Sequence, residues 1–285
     1  MTGFEVSTPI LNSPYEEPAE YWDIEEGKQA ERRSGRRPSG YFYRDPRAKD
    51  SDDEHEARGQ WVELALVNLL RKQVKSWREH KPPYPGVSRT TLELLSYWRR
   101  DGRRQRLFFA QLEAAETMIF LNEARSDFLQ GIEIPLDEQS EDQREEGYRA
   151  FRRYACKMAT GGGKTTVMGM LAAWSILNKI NNHSDARFSD TIFVVCPNVT
   201  IRNRLQELDP ARGEGSLYRT RDLVPPHLMP DLSRGRVLVT NWHVFEPQAV
   251  QTGGVSSKVI RAGVPVTGVE NIRIGSKTTT ARGTR

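Results

Sequence analysis

The stretch that decides the fold is FRRYACKMATGGGKTT, residues 151–166. Residues 154–158 are expected to form a short strand, and a long apolar helix is expected over about 164–180. The glycines at 161–163 separate these two elements. Because glycine readily adopts positive φ, such a loop can point several backbone N–H groups at one anion. The pattern therefore predicts a phosphate-binding loop between the carboxyl end of a strand and the amino end of a helix.

This loop matches most of the general phosphate-binding pattern G-x-x-x-x-G-K-[ST]. Gly163, Lys164 and Thr165 fit the pattern, whereas Met158 stands at the position of its first glycine. In such a loop the lysine binds the β- and γ-phosphates of ATP and the threonine hydroxyl binds Mg²⁺, so Lys164 and Thr165 are the predicted catalytic residues and Thr165 is the predicted metal ligand. The alternative is a flexible glycine-rich turn with an incidental lysine. The predicted cofactor-binding residues of this stretch are Thr160, Gly161, Gly162, Gly163, Lys164, Thr165 and Thr166.

Two more strands are predicted downstream of the loop. TIFVVC, residues 191–196, is a β-branched run typical of a strand covered on both faces, and RVLVTN, residues 236–241, is another. A helix is expected after the first of them, over about 199–208. Strand, helix, strand, helix, strand is the order of a parallel α/β sheet with helical crossovers. We therefore expect residues 152–245 to form such a sheet with helices on its faces.

Three helices are predicted ahead of the loop. The first covers residues 61–79, and the third covers about 108–124 with an apolar stripe. The second covers about 91–100, and Thr90 and Glu93 have the spacing of a capping box.

The remaining stretches are polar. The first sixty residues cannot bury enough apolar surface to fold alone, and they form either a disordered leader or an arm that docks on something larger. The arginines at 99–106 lie at a helix end, where they form a phosphate site or, more commonly, a solvated turn. Residues 133–149 are acidic and are interpreted as an insertion.

The composition excludes several classes of protein. The chain has 285 residues and a mean hydropathy of −0.66, and it holds no apolar run near the roughly 20 residues of a membrane-spanning helix, so no membrane partner is expected. Cys156 and Cys196 lie far apart, which excludes a disulfide framework and a zinc ribbon and favours a cytoplasmic location. A net charge of +4 and a pI near 9.1 permit nucleic acid as a partner without demonstrating it.

The loop resembles motif I of superfamily 2 helicases, which often reads A-T-G-x-G-K-T. Other stretches are similar to motifs of that class in the same order: FFAQLEAAETMIFL at 108–121, VVCPNVTIRNRL at 194–205 and VLVTNWHVF at 237–245. The combination most resembles the DEAD/DEAH-type helicase subunit of type III restriction enzymes. The leader LNSPYEEPAEYWDI is also similar to the start of large helicases of the restriction type.

The resemblance implies an α/β fold of the P-loop NTPase, or RecA-like, type. The fold is expected as an incomplete parallel sheet with flanking helices, preceded by a helical amino-terminal extension. The implied domains are a polar arm at 1–60, a helical extension at 61–107, a partial first RecA-like domain at 108–248 and a basic tail of low order at 249–285.

The resemblance also implies two kinds of ligand contact. Gln111 is implied to contact adenine, although the residues alone also allow a solvated position on a helix. Four residues are implied to contact a nucleic-acid backbone, although the residues alone also allow a turn at Pro197 and Asn198 and a helix N-cap at Asn241. These four are Pro197, Asn198, Thr240 and Asn241. Trp242, Phe245 and both cysteines are expected in the core.

No Asp-Glu motif II follows the loop in the sequence. A helicase of this class needs that Asp to hold Mg²⁺ and that Glu to position the attacking water. Asp53-Glu54-His55 lies ahead of the loop in a polar segment, and we reject it as this motif. No arginine finger and no nuclease region are identified either. We therefore expect an amino-terminal fragment, or one chain of a split protein.

Three functions compete. The first is an ATP-dependent DNA helicase or translocase subunit of restriction-enzyme type, with double-stranded DNA as the favoured ligand and a separate motor, nuclease or modification subunit as partner. The second is a non-catalytic nucleotide- or DNA-binding module that acts through partners. The third is a P-loop kinase, against which the stretches at 194–205 and 237–245 argue. In each case we expect this chain alone to show little turnover of ATP.

Overall fold

The computed structural model describes residues 8–24, 29–43 and 60–245. The fold is mixed α/β, as expected. Within those residues the strands form four two-stranded sheets, one of which is parallel. The basic tail at 249–285 and the Asp-Glu-His run at 53–55 lie outside the described residues.

The described parts of the amino-terminal arm contain two antiparallel strand pairs. β1 (Glu20–Asp23) pairs with β2 (Glu31–Ser34), and β3 (Gly40–Tyr43) pairs with β4 (Gln60–Glu63). Side chains and backbone groups of the arm bond to the first and third helices that follow. For these residues the structure agrees with a docked arm and not with a disordered leader.

Three helices form a layer behind the arm. α1 is Ala65–Glu79, α2 is Arg89–Arg99 and α3 is Phe109–Glu123. Each corresponds to a predicted helix, but α1 begins later than expected because residues 60–63 pair as β4. The largest fully buried side chains in this layer are Trp77, Trp98 and Phe120.

The start of α2 differs from the prediction. Ser88 is the N-cap, and its hydroxyl accepts a hydrogen bond from the Thr91 N–H at 3.0 Å. Thr90 already lies inside the first turn. The predicted capping box of Thr90 and Glu93 is therefore wrong, because the helix begins two residues earlier than about residue 91.

The arginines at the end of α2 tie this helix to the rest of the fold. Arg99 pairs with Glu116 of α3, which is buried. Arg100 pairs with the Asp222 carboxylate. Arg103 is itself buried and donates to the Asp222 carbonyl at 2.9 Å. For these three arginines both predictions, a phosphate site and a solvated turn, are wrong, because their guanidinium groups are bonded to other parts of the fold. Arg104 and Arg106 are exposed, as the prediction of a solvated turn requires.

Short, exposed elements lie between α3 and the glycine loop. They are β5 (Leu136–Asp137), α4 (Glu141–Glu145) and β6 (Phe151–Arg152), and β5 pairs with β6. The strand expected at 154–158 is not formed, so this prediction is wrong. The stretch YACKM contains no β-branched residue to favour a strand. Among the described residues no strand lies beside it to pair with its backbone.

The long predicted helix after the loop is present as α5 (Lys164–Asn181), and it is buried along most of its length. Gly169 allows close packing, since a Cβ there would lie 2.8 Å from the Leu217 side chain. Near its other end, the Ser175 hydroxyl accepts the Ser189 N–H at 3.0 Å. The later turns of α5 therefore lie at the start of the strand that follows.

Both downstream strands are formed where the sequence predicts them. β7 (Thr191–Cys196) and β8 (Arg236–Asn241) are parallel and pair in register over their full length. The connection contains α6 (Val199–Leu205), α7 (Leu217–Thr220) and α8 (Met229–Leu232), with 3₁₀ turns at Gln206–Leu208, Pro210–Gly215 and Pro226–Leu228. A further 3₁₀ turn, Trp242–Phe245, follows β8.

One face of the β7–β8 pair is covered and the other is not. Val194 and Val237 lie in the core. Phe193 and Leu238 are paired in register on the opposite face and are 54% and 51% exposed. The Phe245 ring lies 5.7 Å from the Phe193 ring but leaves this face largely exposed. The prediction of strands buried on both faces is therefore wrong.

Candidate functional site

The predicted phosphate loop is a turn that leads directly into α5. Gly161 and Gly163 have φ values of +80° and +81°. The Gly162 N–H donates to the Ala159 carbonyl at 3.1 Å, and Gly163 is the N-cap of α5. Side chains are disfavoured at positive φ, so the backbone conformation itself favours glycine at both positions.

Lys164 folds back over this loop. Its ammonium donates to the Met158 carbonyl at 3.0 Å and to the Ala159 carbonyl at 2.9 Å. The side chain is nevertheless exposed. Because an ammonium has three donors, one N–H is left to meet an acceptor that approaches from solvent. The first residue of α5 thus holds a positive charge directly over the glycine loop.

The amino end of α5 offers further donors. Its first intrahelical bond runs from the Val167 N–H to the Gly163 carbonyl at 3.3 Å. The N–H groups of residues 164–166 therefore have no acceptor within the helix, and the helix dipole adds a partial positive charge at this end. Among the predicted threonines, Thr160 is exposed, Thr165 is partly buried and Thr166 is buried. This end of α5 is suited to an anion.

Gln111 lies against the loop, although α3 and the loop are far apart in sequence. Its side chain is 6% exposed, so the solvated alternative is wrong. Its Oε1 accepts the Phe108 N–H at 2.8 Å, as the third helical residue does in a capping box. Its Nε2 lies so close to Gly163 that a Cβ there would come within 1.9 Å of it. Gln111, which was predicted to contact adenine, therefore lies beside the loop that was predicted to bind phosphate.

The four residues expected at nucleic acid meet at the carboxyl ends of β7 and β8. Thr240 pairs in register with Val195, and Asn241 pairs with Cys196. Pro197 and Asn198 follow β7 directly and are exposed. The Asn198 side chain caps α6 by accepting the Ile201 N–H at 2.9 Å. Asn198 is therefore the N-cap of α6, a role that the sequence suggested for Asn241 and not for Asn198.

Thr240 and Asn241 lie on opposite faces of the strand pair. Asn241 shares the core face with Cys196 and is buried, and its Oδ1 accepts the Cys196 S–H at 3.4 Å. Thr240 is partly buried and shares the other face with Phe193 and Leu238. Adjacent residues of a strand point to opposite faces, so the T-N pair cannot present both side chains to one ligand surface.

Of three residues expected in the core, one is buried and two are exposed. Cys196 is buried, as predicted. Cys156 is exposed, so its prediction as a core filler is wrong, because no strand forms at 154–158 to carry it inside. Trp242 is 45% exposed, so its prediction as a core residue is also wrong. Its ring lies 4.2 Å from that of His243.

The donors present fit a magnesium nucleotide better than an ion bound by protein alone. Within the described residues no group of three or more His, Cys, Asp and Glu side chains is placed to hold a metal ion. Thr165 offers a single hydroxyl in the first turn of α5. Such a site suits an ion that arrives with phosphate oxygens as its other ligands.

Sequence reasoning missed the residues that hold α3 beside the loop. Glu113 binds Arg36 of the arm, 77 positions away, and the Pro14 carbonyl accepts the Phe109 N–H at 2.8 Å. No local pattern marks such contacts. In the sequence, the only sign of these contacts is the small clusters of aromatic and charged residues in an otherwise polar arm.

Comparison of the chain with protein-family models, with curated proteins and with solved structures gives no significant match in any of the three. Within the described residues, no helix combines the length and the apolar character that crossing a membrane requires.

Proposed function

We propose that this chain is the ATP-binding part of a DNA helicase or translocase of restriction-enzyme type, with the nucleotide at loop 159–163. The observation that carries the proposal is the position of Lys164, whose ammonium is held over the loop by the Met158 and Ala159 carbonyls. The alternative interpretation, a flexible turn with an incidental lysine, does not explain why the ammonium is held over the loop. The unpaired N–H groups at the amino end of α5 lie at the same place.

The chain's own groups have distinct roles in this proposal. The Lys164 ammonium binds the terminal phosphates through the N–H that the two carbonyls leave free, and the first N–H groups of α5 bind phosphate oxygens. The Thr165 hydroxyl is the protein's ligand for Mg²⁺, which neutralises charge on the phosphates when it is bound. The Gln111 carboxamide, beside Gly163, contacts the base.

A RecA-like arrangement is part of the proposal. β7 and β8 are adjacent and parallel, and the later turns of α5 lie at their amino ends. A Cβ at Gly235, just ahead of β8, would lie 2.3 Å from the Ile176 side chain of α5. A helix that leads into a parallel strand runs back along the sheet, so the amino end of α5 is directed towards the carboxyl ends of the strands. Ligands of open α/β sheets bind at that edge.

DNA is the proposed second ligand, at the carboxyl ends of β7 and β8. Pro197 and Asn198 are exposed there, and Thr240 lies beside them. Asn241 supports this edge from the core side through its bond with Cys196. Contacts of this kind to a nucleic-acid backbone position the ligand without reading its sequence.

The chain is expected to bind nucleotide with little turnover, because no Asp-Glu pair follows the loop in the sequence. A turnover of about one per second or more, near that of ordinary enzymes, would contradict this expectation. Nucleotide binding without hydrolysis is also expected of the alternative function, a non-catalytic module that acts through partners.

Calorimetric titration of the chain with ATP and Mg²⁺ tests the proposal. Lys164→Ala removes a charge-assisted contact of about 1.5–3 kcal/mol, which corresponds to a loss of roughly tenfold to hundredfold in affinity. Lys72→Ala is the matched control, since Lys72 is an exposed lysine of α1 and its loss changes the net charge equally. Equal affinity in the wild type and Lys164→Ala overturns the proposal.

A further inference from the structure

The first contact between the arm and α3 is made by residues 14 and 15. The Pro14 carbonyl accepts the Phe109 N–H at 2.8 Å, which satisfies a donor that the first turn of α3 leaves free. The Tyr15 ring lies 5.6 Å from the Phe108 ring, and the Arg106 guanidinium lies 4.5 Å from the centre of the Tyr15 ring. Arg106, Phe108 and Phe109, at the start of α3, are therefore in contact with the arm.

The second contact is an ion pair between Arg36 and Glu113 of α3. Two guanidinium nitrogens donate to the two carboxylate oxygens, and the side chains are only 23% and 14% exposed. The same guanidinium lies 5.6 Å from the centre of the Phe109 ring. Burial lowers the pKa of Arg36, but the hydrogen bond with Glu113 and the negative charges of Glu113 and Glu17 together outweigh this effect, so the net pKa is raised. A paired, forked geometry of this kind holds both groups in one orientation.

The two contacts belong to one structural unit. β1 and β2 pair antiparallel between them, from Glu20 with Ser34 to Asp23 with Glu31. The Asn12 Oδ1 accepts the Ala19 N–H at 2.8 Å, which closes the chain around the first contact. The hairpin therefore presents Pro14, Tyr15 and Arg36 to α3 together.

Gln111 lies in the same turn of α3, between Phe109 and Glu113. Its carboxamide is held at one end by the Phe108 N–H and lies at the other end against Gly163. Phe108, whose N–H orients Gln111, is itself in contact with Tyr15 of the arm. The path from Arg36 to the loop passes through one helical turn.

We propose that the arm is a positioning element of the nucleotide site and that Arg36 is its positioning residue. The inference rests on the proposed function. The docked arm fixes the first turn of α3, and this turn holds Gln111 against the loop. A nucleotide bound at the loop and the docked arm consequently stabilise each other, and the coupling has the same size in both directions.

Affinity for ATP with Mg²⁺ tests one direction of this coupling. Arg36→Ala should weaken binding by about threefold to thirtyfold, which is the range for residues that couple sites without touching the ligand. Arg33→Ala is the matched control, because Arg33 lies in the same hairpin and pairs within it with Asp23 at 2.7 Å. Arg36→Lys keeps the positive charge but cannot form two parallel hydrogen bonds with the Glu113 carboxylate. Its affinity for ATP should therefore lie between those of Arg36→Ala and the wild type.

Hydrogen exchange at the Phe109 N–H, which the Pro14 carbonyl accepts, tests the other direction. Exchange that requires the arm to leave α3 follows the population of the open state. Saturating ATP should therefore slow this exchange in the wild type by the same factor that Arg36→Ala removes from the affinity. In Arg36→Ala the nucleotide should give little protection, which a purely structural role of Arg36 does not predict.

The outcomes separate this inference from the proposed function. If the wild type binds ATP and Arg36→Ala binds it as tightly as Arg33→Ala does, the inference is overturned and the proposed function stands. If the wild type does not bind ATP at all, both are overturned. Circular dichroism establishes that each variant is folded, and if Arg36→Ala is not, Arg36→Lys is compared with Arg33→Lys instead.

Discussion

The Nε2 atom of Gln111 lies where a Cβ of residue 163 would extend, 1.9 Å from that position. Gly163 is thus constrained in two ways, by its φ of +81° and by the space that Gln111 occupies. Gly161 shares the positive φ, but a Cβ there would meet nothing within 4 Å. Substitutions at Gly161 and Gly163 can therefore separate the energetic cost of backbone strain from the cost of losing the contact with Gln111.

Gly163→Ala should cost more stability than Gly161→Ala. Both variants incur about 1–2 kcal/mol of strain at positive φ, and Gly163→Ala also displaces Gln111. Thermal unfolding and ATP affinity of the two variants measure the difference. In a Gln111→Ala background the two glycine variants should become equal, as a double-mutant cycle would show. Equal losses in the original background would argue against the contact.

Val194→Ala and Val195→Ala should differ in stability, although they are adjacent. Val194 is 9% exposed on the core face of β7, whereas Val195 is 47% exposed on the other face. Removing two buried methyl groups costs about 1.5–3 kcal/mol, and an exposed substitution costs roughly 0.5 kcal/mol or less. Urea unfolding of both variants checks this expectation. A similar loss at Val195 would mean that the exposed face is covered in solution.

DNA binding is expected to be electrostatic and alike on unrelated duplexes. The logarithm of the affinity should fall with the logarithm of salt by about 0.9 for each phosphate contacted. Asn241→Ala should weaken binding to every duplex equally, since it loosens the edge through Cys196. Asn203→Ala, at an exposed site of α6, is the control. A strong preference for one duplex at physiological salt would instead indicate a dedicated recognition module.

Glu116→Gln should be strongly destabilising. Glu116 is 1% exposed and accepts hydrogen bonds from the Tyr84 hydroxyl at 2.9 Å and from Arg78 at 2.8 Å, and it also pairs with Arg99. Removing its charge leaves two guanidinium groups without their carboxylate, at a cost of about 3–5 kcal/mol. Chemical unfolding measures this loss, with Asp127→Asn in an exposed ion pair as a control that should change little.

Stability should decline at high pH partly through Tyr84. Burial, and then the charge of Glu116, raise the pKa of its hydroxyl. The folded state therefore favours the neutral phenol, and this contribution is complete below a pH of about 10 and is lost as the pH rises further. The free energy of unfolding of the wild type should fall more steeply above that pH than that of Tyr84→Phe. Parallel curves would show that Tyr84 has no such role.

Local patterns were sufficient for the elements that depend on nearby residues. The apolar run after the glycines predicts α5, and the β-branched runs predict β7 and β8 at their observed bounds. The same reasoning failed at 154–158, where strand formation depends on a neighbouring strand. It also failed for the N-cap of α2, because Ser88 and Thr90 are both acceptable caps and the packing of the helix selects between them.

The sequence by itself determined the glycine loop with its lysine, the helix that follows it and the two strands. Their conformations are set by φ preferences and side-chain branching within a few residues. The tertiary structure alone decided that Gln111 meets Gly163, that Asn241 lies on the core face and that Arg36 meets Glu113. A contact between distant residues depends on which surfaces pack together, and a continuous apolar strand such as TIFVVC carries no alternation to say which face is covered.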